Sequence, residues 1–206
     1  MTTTPPDPEG RNLTQAAASR RRAAAAGHTG DEAAARDLLA DADADVRATA
    51  LGALVRMGRC SNADLAAALA DRAPSVRRRA LALAVGSDLD LRPLLGDHDV
   101  SVVEQAAWAL GERDDPDAVD ALLVVTTHAD ALVREAAIAA LGALQDERAL
   151  PAILAATSDK PAIRRRAVLA LAAFDGDDVD AALARAMEDK DWQVRDAAEL
   201  ILEARA

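Results

Sequence analysis

Three histidines, one cysteine, two arginine triplets and one mid-chain tryptophan are the residues of this 206-residue sequence with chemistry to offer beyond packing. His98 and His128 stand beside Asp97, Asp99 and Asp130, a mixture that zinc and other divalent cations accept. Two histidines on acidic turns supply too few fixed ligands, so no metal site is expected. Cys60, alone, can form neither an intrachain disulfide nor a cysteine metal site, which fits a reducing, cytoplasmic compartment. The triplets Arg77 to Arg79 and Arg164 to Arg166 have the fork geometry that suits phosphate oxygens. On a helix, however, consecutive residues turn by about 100°, so each triplet spreads over different sides. A solvated face with aspartate partners is the better expectation. No nucleophile and base pairing and no glycine-rich phosphate loop is present, so neither a catalytic residue nor a cofactor is expected.

The elements that position these residues are written in the composition. Alanine occurs 54 times, against one Phe, two Trp and no Tyr. A β-rich fold draws on β-branched and aromatic residues, whereas alanine is the best helix former and permits close helix approach. The net charge of −11 opposes non-specific binding to nucleic acid or anionic lipid. Met1 to Arg11 has no apolar stretch of a signal peptide, and no run reaches transmembrane length.

A repeat organises the chain. An aliphatic anchor, usually followed by Arg, returns at Val46, Val76, Val102, Val133, Ile163 and Val194. Four residues after each anchor stands alanine: Ala50, Ala80, Ala106, Ala137, Ala167 and Ala198. Eight after it stand Leu54, Ala84, Leu110, Leu141, Leu171 and Leu202. These offsets share one face of a 3.6-residue helix, which predicts an amphipathic helix in every unit. A shorter apolar stretch and an acidic turn precede it. Neither helix can bury its apolar face without a neighbouring unit, so the expectation is an all-α solenoid (α/α superhelix) of about six two-helix repeats. Residues 1–11 read as a disordered N-terminal segment and 12–206 as a single solenoid domain, with room for a capping helix at 12–30.

The chain resembles HEAT-repeat proteins of the short bacterial type, also called phycobilisome-lyase HEAT-like repeats. An Asp in the inter-helix turn followed by Val-Arg opening the second helix carries the resemblance. It implies a ladder of Asp–Arg pairs between repeats and a groove lined by second helices. The turn residue is Asp41, Asp71, Asp97 and Asp189, but His128 and Ser158 in the fourth and fifth repeats. The ladder Arg is Arg47, Arg77, Arg134, Arg164 and Arg195, but Val103 in the third. The resemblance also raises enzymes. HEAT-repeat oxygenases hold two irons with His-Glu dipeptides, and here the histidines read His28-Thr29, His98-Asp99 and His128-Ala129. Bilin lyases share the repeat name, although a single cysteine and so few aromatics suit tetrapyrroles poorly. DNA-recognising glycosylases of HEAT-like fold are a third kind.

Offsets 2, 6 and 9 from each anchor point away from the buried stripe and are expected to line the groove. This selects Arg78, Glu104, Glu135 and Arg165 at offset 2, and Trp108, Leu169 and Leu200 at offset 6. The third repeat departs from the pattern in its period of 26, its Val103 and its Trp108. Trp108 fits two roles, groove anchor or filler of a gap left by a shortened first helix near Pro93. Aromatic anchors dominate binding surfaces, so the expected function is a non-catalytic scaffold or adaptor. It would hold a protein partner on Trp108, Leu169 and Leu200, with Arg78 and Arg165 flanking and Glu104 and Glu135 selecting basic groups.

Overall fold

Every regular element is helical in the computed structural model, which describes residues 8–205, with side chains from residue 14. Among the described residues there is no strand. The chain divides into two compact units, Met1–Leu89 and Asp90–Ala206. The first holds α1 (Pro8–Thr29), α2 (Glu32–Leu38), α3 (Ala44–Arg56), α4 (Asn62–Leu69) and α5 (Pro74–Leu83). The second holds α6 (Val100–Glu112), α7 (Val119–Val125), α8 (Ala131–Leu144), α9 (Leu150–Ala156), α10 (Pro161–Ala170), α11 (Asp177–Ala186) and α12 (Trp192–Arg205).

Second helices stack on one another in order: α1 on α3 and α3 on α5 in the first unit, then α6, α8, α10 and α12 in the second. First helices form the other layer. In the third repeat the first helix is reduced to a 3-10 turn at Arg92–Gly96, where Pro93 sits at the start. The alanine row explains the close stacking. All six alanines at offset 4 are 0% exposed, and the six anchors are buried with them. Gly111 of α6 and Gly142 of α8 bring the helices closer still. A Cβ at Gly111 would fall 2.7 Å from the Ala140 Cα, and one at Gly142 2.6 Å from the Ala170 Cβ.

α1 begins at Pro8, so residues 8–11 are helical where a disordered segment was expected; residues 1–7 lie outside the described residues. Proline is favoured at a first helical position, where its missing N–H costs nothing. This helix stacks as a second-layer element, with Ala23 packed among Leu38, Val46 and Ala50.

The acidic turns have a physical division of labour. Asp41, Asp71, Asp97 and Asp189 each accept the backbone N–H two residues on, which closes the turn. Asp43, Asp99, Asp130 and Asp191 then accept N–H groups in the first turn of the following helix. Such capping satisfies amides that have no intrahelical partner.

Candidate functional site

The ladder is real and sets the register of the exposed face. Arg47 grips Asp71 at 2.6 and 2.8 Å, Arg134 grips Asp159 at 2.7 and 2.8 Å, and Arg164 grips Asp189 at 2.6 and 2.8 Å. Each fork is bidentate, the geometry that gives guanidinium–carboxylate pairs their strength. The third nitrogen donates to carbonyls of the arginine's own turn, as Arg134 does to His128 and Ala129. Hydrogen bonds from Arg47, Arg134 and Arg164 hold the carboxyls of Asp71, Asp159 and Asp189 below the ordinary aspartate range.

Two ladder positions differ from the sequence expectation. The fifth-repeat carboxylate is Asp159, one residue after Ser158, so that rung is present. His128 does half of what the aspartate does elsewhere, since its Nδ1 accepts the Asp130 N–H at 3.0 Å. A neutral imidazole can close the turn, but it offers no carboxylate to an arginine. Its opposite number on α6 is Val103, which is buried.

With the stripe buried, offset 6 lies at the centre of the exposed arc of each second helix. In the second unit this arc carries Trp108 on α6, Ala139 on α8, Leu169 on α10 and Leu200 on α12, one residue per stacked helix. Trp108 is 43% and Leu200 62% exposed, while Leu169 is half-buried. Ala139 and Leu169 line an open hollow of about 310 Å³ together with Gly142, Ala143, Gln145 and Arg166. At offset 2 stand Glu104 and Glu135, both half-buried, and exposed Arg165. Glu135 lies 3.8 Å from Arg166. Arg78 is exposed in the other unit, so the fold unites six of the seven expected groove residues within one unit.

Offset 9 lines the groove only in part, since Gly142 borders the hollow but the position is also a packing contact. Gly111 and Gly142 occupy it, and both face the following helix. About 100° per residue places offset 9 only some 40° from the buried offset 5. Trp192, the first residue of α12, is 64% exposed and is not among the expected groove residues. It stands two residues before its anchor, where the repeat pattern assigned no role. The only Phe, Phe174, is buried, so both tryptophans are solvent-facing and the remaining aromatic is core.

The histidines stand apart from one another's chemistry. His28 Nε2 accepts from Arg56 at 3.1 Å, His98 is exposed, and His128 holds its turn. Among the described residues no three His, Cys, Asp or Glu side chains are grouped to hold a metal ion. No described helix is long and apolar enough to cross a membrane.

HEAT repeats match residues 89–161 and 124–203, together more than half of the sequence. The chain belongs to the HEAT-repeat family. No curated protein matches it. Among solved structures it is similar to the Escherichia coli protein YibA, at 17% identity and a TM-score of 0.66 over all of this chain and 78% of that one. It is also similar to human deoxyhypusine hydroxylase, solved with glycerol, at 22% identity and a TM-score of 0.50 over 90% and 78% of the two chains. A designed armadillo repeat protein in complex with the peptide (KR)4 aligns at 18% identity and a TM-score of 0.52, covering 97% of this chain and 95% of the design. At these identities the likeness is one of fold.

Proposed function

We propose that the protein is a non-catalytic interaction scaffold that binds a protein partner on the exposed second-helix face of residues 90–206. Trp108 is the anchor of that face, Leu169 and Leu200 its apolar support, and Glu104, Glu135 and Arg165 its polar selectors. The observation that carries this reading is the exposure of Trp108 at the centre of the arc. A core filler would be enclosed, whereas an indole left 43% open has surface that a partner can dry. The hollow beside Leu169 accepts a partner side chain that this alanine-rich surface cannot itself provide. Half-buried Glu104 and Glu135 favour basic groups in the partner, in keeping with the chain's −11 charge. Burial pushes the Cys60 thiol up, which disfavours its thiolate.

Affinity capture from the native source tests the reading, with wild-type protein and a Trp108→Ala variant as parallel baits. A partner retained by the first and lost by the second, with equal helicity of the two baits, is the expected result. Equal recovery on both baits refutes the anchor.

A further inference from the structure

Charge is unequally shared between the two units. Residues 1–89 hold 12 Arg and 11 Asp plus Glu, a net +1; residues 90–206 hold 12 Lys plus Arg and 24 Asp plus Glu, a net −12. In the first unit the acids are also unevenly placed, with Glu9 on α1 and Asp45 on α3 the acids that second-layer helices carry. Asp31, Glu32, Asp37 and Asp64 lie on or at the caps of the first helices, and Asp41, Asp43 and Asp71 lie in the turns. The second-layer helix α5 has none, and α3 has only Asp45 in its first turn, paired with Arg20. The same helices and α1 carry exposed Arg20, Arg21, Arg22, Arg56, Arg78 and Arg79.

Two of these arginines lean across the layer. The Arg79 guanidinium lies over Gly52 of α3, with Nη2 only 2.8 Å from where a Cβ would stand there. Arg56 follows Gly52 by one helical turn, about 6 Å along the axis, and reaches back to Gly27 and His28 of α1. Guanidiniums from α3 and α5 therefore lie on one face, and among the described residues no ion pair joins Arg56, Arg78 or Arg79 to a carboxylate. The corresponding place in the second unit differs. There Arg166, three after its anchor as Arg79 is, lies near Glu135 at offset 2 of the preceding helix. In the first unit that offset is Ala48.

We propose that the second-helix face of residues 1–89, centred on Arg56, Arg78 and Arg79, is a separate docking surface for an acidic peptide segment rich in Asp and Glu. Guanidinium forks take carboxylates bidentately, and this face presents them without an internal acid to satisfy them. A short acidic segment engages the patch alone. A nucleic acid strand, with its many phosphates, is disfavoured by the chain's net charge of −11. The surface is independent of Trp108, so the two readings fail separately.

Fluorescence anisotropy with fluorescein-labelled octaglutamate tests the proposal on the full chain. Wild-type protein and the Trp108→Ala variant bind it equally, and the double variant Arg78→Glu/Arg79→Glu weakens binding about tenfold or more, since four units of charge are reversed on an exposed face. The variant Arg185→Glu, an exposed cation of α11, leaves binding unchanged, and circular dichroism confirms that all variants are folded. Four results overturn the proposal. These are no binding to wild type, equal weakening by Arg185→Glu, tighter binding of a labelled oligonucleotide than of octaglutamate, and a salt-sensitive self-association that Arg78→Glu/Arg79→Glu abolishes.

Discussion

Replacing Arg134 by methionine tests what the Asp–Arg ladder contributes. The substitution keeps most of the stem and deletes two charge-assisted bonds to Asp159, together with two bonds to the carbonyls of His128 and Ala129. Surface ion pairs are worth about 0–1 kcal/mol, whereas breaking a buried one costs about 3–5 kcal/mol. The side chains here are 15% and 24% exposed, so water reaches the orphaned carboxylate and carbonyls only in part. The loss should fall between those limits, at about 2 kcal/mol. For a chain of this size that corresponds to a fall in Tm of roughly 4–8 °C. Urea unfolding followed by circular dichroism measures it, and a cycle with Asp159→Asn separates the pair from the turn contacts. A coupling of about 1 kcal/mol or more is expected, because the residues share one network. A loss under about 0.5 kcal/mol with no coupling refutes the ladder as a source of stability.

Gly111→Ala should destabilise by about 1–3 kcal/mol despite the better helix propensity of alanine, because the new methyl meets the Ala140 backbone, which cannot swing aside; Gly86→Ala, with nothing within 4 Å, should be near neutral in the same urea titration. His128→Asp should keep the turn closed and leave Tm almost unchanged, whereas His128→Ala should cost about 1 kcal/mol through the lost bond to the Asp130 N–H. The depressed carboxyls of Asp71, Asp159 and Asp189 contribute stability that is fully present above the ordinary aspartate value and is lost as pH falls through their lower folded values. Thermal melts at a series of acidic pH values should therefore show Tm falling below about pH 4, less steeply in Arg134→Met than in wild type; parallel curves would contradict the assignment.

The alanine row made the fold legible, since a residue that recurs at offset 4 and is enclosed in all six repeats leaves little freedom in how second helices stack. The exposed arc was legible in part: with offsets 0 and 4 buried in every repeat, offset 6 is exposed at Trp108 and Leu200 but half-buried at Leu169. Offset 9 follows the pattern only in part because a helix in a stack is contacted from both sides, so the buried arc is wider than an amphipathic stripe suggests. Gly111 and Gly142 carried that information, being the smallest residues at the position. The Asp159 rung escapes the repeat spacing because its carboxylate stands four residues before the anchor Ile163, where the other turn aspartates stand five before theirs. The helix start at Pro8 was masked by a polar, proline-rich composition. The uneven charge of residues 1–89 was in the sequence too, but only the fold tells which helices share a layer.

If Trp108 is an anchor awaiting a partner, its fluorescence must report an indole that is wet when free and dry when bound. In a Trp192→Phe background, which leaves Trp108 as the sole indole, its emission should be red-shifted and readily quenched by acrylamide. It should move to the blue on adding the partner captured by the wild-type bait, and Trp108→Ala should weaken that complex by about 2 kcal/mol or more. A blue, unquenchable indole in the free protein, with a stability loss of about 3–5 kcal/mol on truncation to alanine, would instead make Trp108 a packing residue and contradict its role as the anchor of a scaffold.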